Sequence, residues 1–216
     1  MVKGLDRILL ADVEREIFRG AEAIVYIGNL WGLKVVVKYR TPKRYRNPEL
    51  DVSLRRKRIK RECKAMIEAR KAGLHVPFIL DVYDFQITTE FIPGTKLHTY
   101  LMEGGSTSIL EDVGKYVGKL HNAGLTHGDL TVHNIIISDG KPYFIDFGLS
   151  EFTYDPEDFA TDLFVLRCSL RASIGMEGLK LFNLFLKGYS DEVGRLFKLV
   201  NLKLTEIEHR RRHYGD

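Results

Sequence analysis

The apolar positions change period along the chain. Between Val13 and Tyr39 they come in short β-branched runs broken by glycines: Val13–Phe18, Ala23–Ile27 and, after a Gly28–Gly32 turn, Val35–Tyr39. That pattern predicts a three-stranded meander. Pro42 and Pro48 frame a loop. A long helix is expected from about Glu49 to Lys71, where Ile59, Cys63, Met66 and Ile67 recur every three or four residues and share a face. Gly73 is a natural stop. Pro77 opens a second β stretch, Ile79–Phe85 and Gln86–Ile92, closed by Pro93-Gly94. Beyond it the period is helical. Ser108 and Glu111 make a capping box ahead of the stripe Ile109, Val113, Tyr116, Val117 and Leu120, and Gly124 ends that helix. Two short strands, Asn134–Ile137 and Tyr143–Asp146, flank Asp139-Gly140, a hairpin signal. Asp155-Pro156 starts a further helix with an acidic first turn. From Phe159 to Val200 the pattern stays helical, with Gly175, Gly178 and Gly188 as breaks. The expectation is an α+β chain with a β-rich lobe over 1–93, a helical lobe over 94–216 and a short hinge. A cleft between lobes is a usual place for a ligand.

Composition narrows the classes. A chain of 216 residues, 44% hydrophobic and 29% charged, is that of an ordinary soluble domain or two small lobes. Thirty-three Lys and Arg against 29 Asp and Glu leave +4, which excludes a polybasic protein and permits a local basic patch. No apolar run approaches the ~20 residues of a membrane helix. The start, Met1-Val2-Lys3-Gly4, has no charged segment followed by an apolar one, so neither a signal peptide nor membrane attachment is expected. Cys63 and Cys168 are the two cysteines, too few for a disulfide framework or a four-cysteine zinc site, and a cytoplasmic location is the expectation. His121, His127 and His133 are spaced by six, which does not align ligands on a helix face; zinc is not expected, and His127 reads as a buried scaffold residue.

The chemistry concentrates in His127-Gly128-Asp129-Leu130-Thr131-Val132-His133-Asn134, followed by Asp146-Phe147-Gly148. This order resembles the catalytic loop and metal-binding triplet of protein kinases. Transfer of a phosphoryl group from ATP needs charge neutralised on phosphate oxygens, and Asn134 and Asp146 are suitable hard oxygen donors for Mg²⁺. Asp129 is the candidate base that orients a hydroxyl or water. Two unrelated loop aspartates capping turns is the plainer alternative; three pieces in order, with a strand pair between them, argue against it. Lys38 ends Val35-Val36-Val37-Lys38, where kinase-like proteins place the lysine that contacts nucleotide phosphates, although by itself it reads as a solvent-facing strand lysine. Glu62 is the one acid in the run Arg55–Lys64 and adjoins the apolar stripe, so it is the candidate partner of Lys38, with Glu68 second. In the loop Arg19, Gly20, Ala21, Glu22, Ala23 only one glycine of the Gly-rich pattern remains; its amides can meet a phosphate, and an ordinary hairpin turn is equally open. By resemblance alone, backbone groups of Glu90 and Ile92 form the hinge to an adenine edge. Asp162 shares an apolar helix face with Phe159, Leu163, Leu166 and Leu170 and needs buried donors, which catalytic-loop amides would supply; an edge position is the alternative.

The departures matter as much as the matches. Leu149–Tyr154 are all that separate the triplet from the next helix start, Ala-Pro-Glu is absent, and Gly128 stands where kinases carry arginine. Six residues hardly build a docking platform for an extended peptide. With Arg19-Gly20-Ala21-Glu22-Ala23, His127-Gly128-Asp129-Leu130-Thr131, His133-Asn134 and an arginine-rich end, the chain from Gly20 to its tail resembles the small atypical kinase/ATPase subunits of the KEOPS (EKC) complex. The resemblance implies a minimal bilobal protein-kinase-like fold using ATP and Mg²⁺. It implies an ATP-hydrolysing, autophosphorylating protein of serine/threonine-kinase type that supports threonylcarbamoylation of adenosine beside tRNA anticodons. It also implies a threonylcarbamoyl-transferase subunit on the C-lobe and a small regulatory subunit on the N-lobe. Arg210, Arg211 and Arg212 beside Tyr214 are candidate tRNA contacts, with a solvated terminus as the alternative. The run Arg55–Lys64 reads as a solvated helix face. Two other functions stand beside this one: a stand-alone sugar- or aminoglycoside-type kinase, for whose insertions the chain is short, and a non-catalytic module, against which Lys38, Asp129, Asn134 and Asp146 are all present.

Overall fold

The computed structural model describes residues 11–213, with side chains through residue 210. It is an α+β fold made of two compact units. The first runs to Cys63 and includes Pro77–Ile92; the second comprises Lys64–Val76 and the chain from Pro93 onward.

The first unit is an antiparallel sheet of order β1-β2-β3-β5-β4, built from β1 Asp12–Arg19, β2 Ala23–Leu30, β3 Leu33–Arg40, β4 Ile79–Tyr83 and β5 Gln86–Glu90. Alternation along β3 explains its two faces. Val35 and Val37 go into a core with Ile24, Tyr26 and Leu30, while Lys38 and Arg40 fall on the opposite face. The hairpin turn is Trp31-Gly32, both at positive φ (53° and 85°), not the expected Gly28–Gly32. Gly28 lies inside β2, where a Cβ would stand 2.5 Å from the Asp12 carbonyl oxygen, so its small size serves strand approach. The helix α1, Pro48–Lys71, begins one residue earlier than expected. Asn47 Oδ1 accepts from the amides of Glu49 (2.9 Å) and Leu50 (3.4 Å), an N-cap followed by proline at the first helical position. Its buried face holds Ile59 and Met66 as expected, together with Arg55, Glu62, Ala65 and Ala69. Ile67, expected on that face, is 47% exposed.

The division between units falls inside α1. Residues after Cys63 belong with the second unit because their side chains pack there. Lys64 Nζ lies 4.4 Å from the Phe152 ring centroid, and the His75 ring lies against Tyr116 and Tyr143 at 5.0 and 5.2 Å.

The second unit contains β6 Thr95–Lys96, α2 Leu97–Met102, α3 Ile109–Asn122, β7 Ile135–Ser138, β8 Lys141–Phe144, α4 Pro156–Ile174, α5 Met176–Val193 and α6 Leu196–His213. The strands form a three-stranded sheet of order β6-β7-β8. Asp139 and Gly140, at φ 48° and 70°, make the tight turn expected of that pair. Val113, Val117 and Leu120 of α3 are fully buried, as are Leu163 and Leu166 of α4 and Phe185 of α5. Ser108 is in the helical region and makes no capping bond; its hydroxyl pairs with Ser106 Oγ at 2.8 Å, so the capping box is not formed. Asp155 does cap α4, accepting from the Glu157 amide at 2.9 Å. Of the three glycines expected as breaks, Gly175 is one. Gly178 and Gly188 lie within α5, and the next break is at Gly194. Among the described residues no helix is long and apolar enough to cross a membrane, and both cysteines are free.

Candidate active site

In the first unit the sheet presents Lys38 to α1. Its Nζ donates to Glu62 Oε1 at 2.7 Å, and Arg40, two positions on along the same strand face, bonds Glu62 Oε2. Glu62 is 2% exposed and Arg40 4%. A carboxylate this deeply buried needs such partners. Glu68 pairs with Lys71 on the exposed side of the helix instead. Arg40 was not among the residues expected at the site, although the period of two that links it to Lys38 is visible in the sequence.

The loop between β1 and β2 is a tight turn in which the Gly20 amide donates to the Ala23 carbonyl at 2.9 Å. Glu22 pairs with Arg58 of α1 and lies 3.9 Å from Lys43, whose Nζ also bonds the Ala21 carbonyl. Arg19 is committed to Glu16 on its own strand, with Nε–Oε1 at 2.8 Å. At the end of β5, the Glu90 amide donates to the Phe78 carbonyl at 3.0 Å and Glu90 Oε1 accepts from the Phe78 amide. The Glu90 N–H is thus used within the sheet. Ile92 is buried.

In the second unit the segment 127–134 is fixed from below. Asp162 of α4, 2% exposed, accepts from the His127 amide at 2.6 Å and the Gly128 amide at 2.8 Å. Beneath it lies a buried chain unforeseen in the sequence. His121 Nε2 stands 3.3 Å from Asp162 Oδ2, and His121 Nδ1 lies 2.9 Å from the Tyr189 hydroxyl. Burial and Asp162 together push the Tyr189 phenol up, so it stays protonated and can donate. His127 is fully buried against Phe147, ring centroids 4.8 Å apart. Burial drives its pKa down, opposed by the charges of Asp162, Asp146 and Asp129. The carboxylates of residues 129 and 146 thus act on one imidazole, which gathers them on one part of the unit.

Asn134 organises this cluster. Its Nδ2 donates to the carbonyl and to Oδ2 of Asp129, both at 2.9 Å, and its carbonyl accepts from the Ile145 amide at 2.9 Å. That last bond ties the loop to the residue before Asp146. Asp146 sits at φ 66°, a left-handed conformation Asp tolerates, with Oδ1 accepting from Gly148 at 3.1 Å. Gly128, at φ 81°, lies so close to the following segment that a Cβ would stand 2.0 Å from the Leu149 carbonyl oxygen. The absence of arginine there has a steric cause.

The two Asn134 bonds engage its amide nitrogen, leaving Oδ1 as the atom type a hard cation takes. Among the described residues no group of three or more His, Cys, Asp or Glu could hold a metal by itself. A magnesium ion commonly takes one or two protein ligands and completes its shell with water and phosphate oxygens, so this donor set fits it. Of the tail residues, Arg210 pairs with Glu157 at 2.6 Å; the side chains of Arg211 and Arg212, and Tyr214, lie outside the described residues.

Comparison with known proteins agrees with this geometry. The RIO domain family matches residues 34–160. The KEOPS complex subunit Bud32 of Pyrococcus abyssi is 37% identical over 90% of this chain and 94% of its own length. A probable serine/threonine-protein kinase BUD32 homolog of Archaeoglobus fulgidus is 39% identical over 92% and 96%. A probable bifunctional tRNA threonylcarbamoyladenosine biosynthesis protein of Methanosphaera stadtmanae is 38% identical over 90% of this chain, which spans 36% of that longer protein. Among solved structures, the Rio2 kinase of Chaetomium thermophilum, in its ADP/Mg²⁺-phosphoaspartate complex, superposes with TM-score 0.63 at 17% identity, covering 93% of this chain and 72% of that one. With identity and coverage of this order along almost its whole length, the chain belongs to the Bud32 family of RIO-domain, kinase-like proteins.

Proposed function

We propose that this protein is an ATP-dependent phosphotransferase, an ATPase and atypical serine/threonine kinase, that supports threonylcarbamoyladenosine modification of tRNA within a KEOPS-type complex in the cytoplasm. The observation that carries the reading is the arrangement around Asn134: one amide binds Asp129 while its backbone fixes the entry to Asp146. Names borne by the relatives, a KEOPS subunit and a threonylcarbamoyladenosine biosynthesis protein among them, support the assembly and the RNA.

The residues divide the work. Asp129 Oδ2 is engaged by Asn134, which leaves Oδ1 to accept the proton of an attacking water or hydroxyl. As that oxygen bonds to the γ-phosphorus, the bond to the β,γ-bridging oxygen breaks and its electron pair leaves with ADP. Asn134 and Asp146 would hold Mg²⁺, which would supply charge neutralisation on the triphosphate. Lys38 supplies a cation to the phosphates and is itself oriented by Glu62. The loop Gly20 to Ala23 faces the phosphates with amides other than that of Gly20, and the backbone at Glu90 and Ile92 meets the adenine. Asp162 and His127 hold the loop rigid. The transferase subunit docks on the helical unit, a small regulatory subunit on the β-rich unit, and Arg210, Arg211 and Arg212 contact tRNA.

The test is ATP consumption by the purified chain, alone and with tRNA and the transferase subunit. Slow turnover that rises on adding both, and disappears in Asp129→Asn, is expected. Equal rates for Asp129→Asn and the parent would overturn the reading, as would fast phosphorylation of a single small metabolite.

A further inference from the structure

Tyr189 of α5 is fully buried, and its hydroxyl lies 2.9 Å from Nδ1 of His121 of α3, which is fully buried as well. Buried tyrosines turn their hydroxyl toward a partner as a rule; what matters here is what stands behind the partner. The opposite ring nitrogen, Nε2, is 3.3 Å from Oδ2 of Asp162. That oxygen takes the His127 amide at 2.6 Å, while Oδ1 takes the Gly128 amide at 2.8 Å. Phenol, imidazole and carboxylate therefore act in series, from α5 through α3 and α4 to the loop that carries Asp129.

The two ends of this series fix its direction. Burial above all, with the Asp162 charge behind it, pushes the Tyr189 phenol up, so the hydroxyl keeps its proton and donates. The carboxylate oxygen accepts. One arrangement of the ring satisfies both: Nδ1 accepts and Nε2 carries the hydrogen. His121 is held in that orientation by packing, with Phe159 stacked on its face at 4.4 Å and 14° and Tyr189 edge-on at 5.4 Å. Close approach of α3 and α5 makes the contact possible. Gly114, two turns before His121 on the same face of α3, has no room for a Cβ, which would stand 2.7 Å from the Tyr189 amide nitrogen.

We propose that Tyr189 is a positioning residue for phosphoryl transfer: its hydroxyl fills Nδ1 of His121, so the ring presents Nε2–H to Asp162 and the carboxylate stays set on the loop amides next to Asp129. The inference rests on the reading that Asp129 serves the attacking oxygen. Without the hydroxyl, the ring keeps a buried acceptor that no donor fills, and its hold on Asp162 Oδ2 slackens. The loop then loses definition at the point where small displacements of a reacting group are costly.

The test is the kcat and ATP KM of the whole chain, assayed with tRNA and the transferase subunit, beside its melting temperature and the nitrogen-15 spectrum of its histidine rings. Tyr189→Phe removes the hydroxyl alone. It is expected to lower kcat about tenfold while KM stays within about twofold. Phe185→Leu loosens the same helix pair without removing a hydrogen bond; it is expected to lower the melting temperature and keep kcat within about twofold of the parent. In the parent spectrum His121 should show a protonated Nε2 and a bare Nδ1, a measurement that needs no variant to fold. A proton on Nδ1, a parental kcat in folded Tyr189→Phe, or an equal loss of kcat in Phe185→Leu would overturn the proposal. Asp129→Asn separates the two readings. A parental rate there sinks the phosphotransferase itself, whereas an inactive Asp129→Asn beside an unimpaired Tyr189→Phe sinks the role of Tyr189 alone.

Discussion

A methyl group at position 128 has nowhere to go. The backbone there has φ 81°, and a Cβ would stand 2.0 Å from the Leu149 carbonyl oxygen, which cannot swing aside as a side chain could. Gly128→Ala is therefore expected to lower stability by about 3 kcal/mol, left-handed strain and overpacking together, read as a shift of the urea midpoint. Next to it, His127 couples folding to pH. Its folded pKa lies below the ordinary value near 6.5 because burial outweighs the pull of three carboxylates. Below about pH 6.5 the unfolded chain takes up a proton that the folded one refuses, so stability is full above that pH and falls as pH drops through it. Urea midpoints at two pH values on either side, without nucleotide, should show the drop, and His127→Gln should flatten it. At this scale the sequence was legible where chemistry demands a type at a spacing: Asp129, Asn134 and Asp146 could be picked out from their order. It was illegible where a role depends on who lies opposite. Arg40 went unmarked because nothing local announces that Glu62 will be buried against it, and Tyr189 lies 68 residues from its partner His121.

Helix ends and helix contacts obey different rules, and the second unit separates them. Ser108 has the composition of an N-cap but bonds Ser106, whereas Asp155 makes the bond. Asp155→Ala is expected to lower stability by about 1 kcal/mol and Ser108→Ala by less than about 0.5 kcal/mol, compared by thermal or urea unfolding. Capping residues are recognisable; whether the backbone enters the helix in the extended conformation that a cap needs is decided by the preceding turn, here Ser106–Thr107, already helical in its hydrogen bonding. Glycines mislead in the same way. Gly188 looked like a break, yet it sits in α5 where a Cβ would stand 1.9 Å from the Glu111 carbonyl oxygen of α3; a Cβ on Gly114 of α3 would likewise stand 2.1 Å from the Phe185 carbonyl oxygen. The two helices approach backbone to backbone through these positions. Gly188→Ala should therefore destabilise by roughly 2 kcal/mol or more despite its better helix propensity, the opposite of what a surface-helix substitution gives. Element types, by contrast, were readable except for the short β6, where the period reads as helical, because period and proline placement are local properties. The ends of β3 and α1 fell within two residues of expectation.

Over the whole molecule, charge is the property that composition states and structure redistributes. The net +4 is small, and many cations are already spoken for by neighbours: Arg58 by Glu22, Arg56 by Asp84, Arg167 by Glu208. α6 is tied to α4 by Arg210 and Lys203 at Glu157. The Arg210–Glu157 pair is solvent-facing and contributes about 0–1 kcal/mol, so Arg210 can exchange Glu157 for a phosphate at little cost while the helix stays anchored by its packing. If the tail contacts tRNA as proposed, its arginines act through counterion release and not through base recognition. Replacing Arg211 and Arg212 by Gln together should weaken tRNA binding for all sequences alike. It should also make the slope of log K against log salt shallower by about 1.5, on the order of 0.7–0.9 for each phosphate no longer neutralised. ATP hydrolysis without RNA should be unchanged, because neither residue belongs to the nucleotide-handling groups. An unaltered salt slope would remove the tail from the RNA surface and leave the exposed cations of α1 as the next place to look, with Lys57 and Lys60 the first to replace.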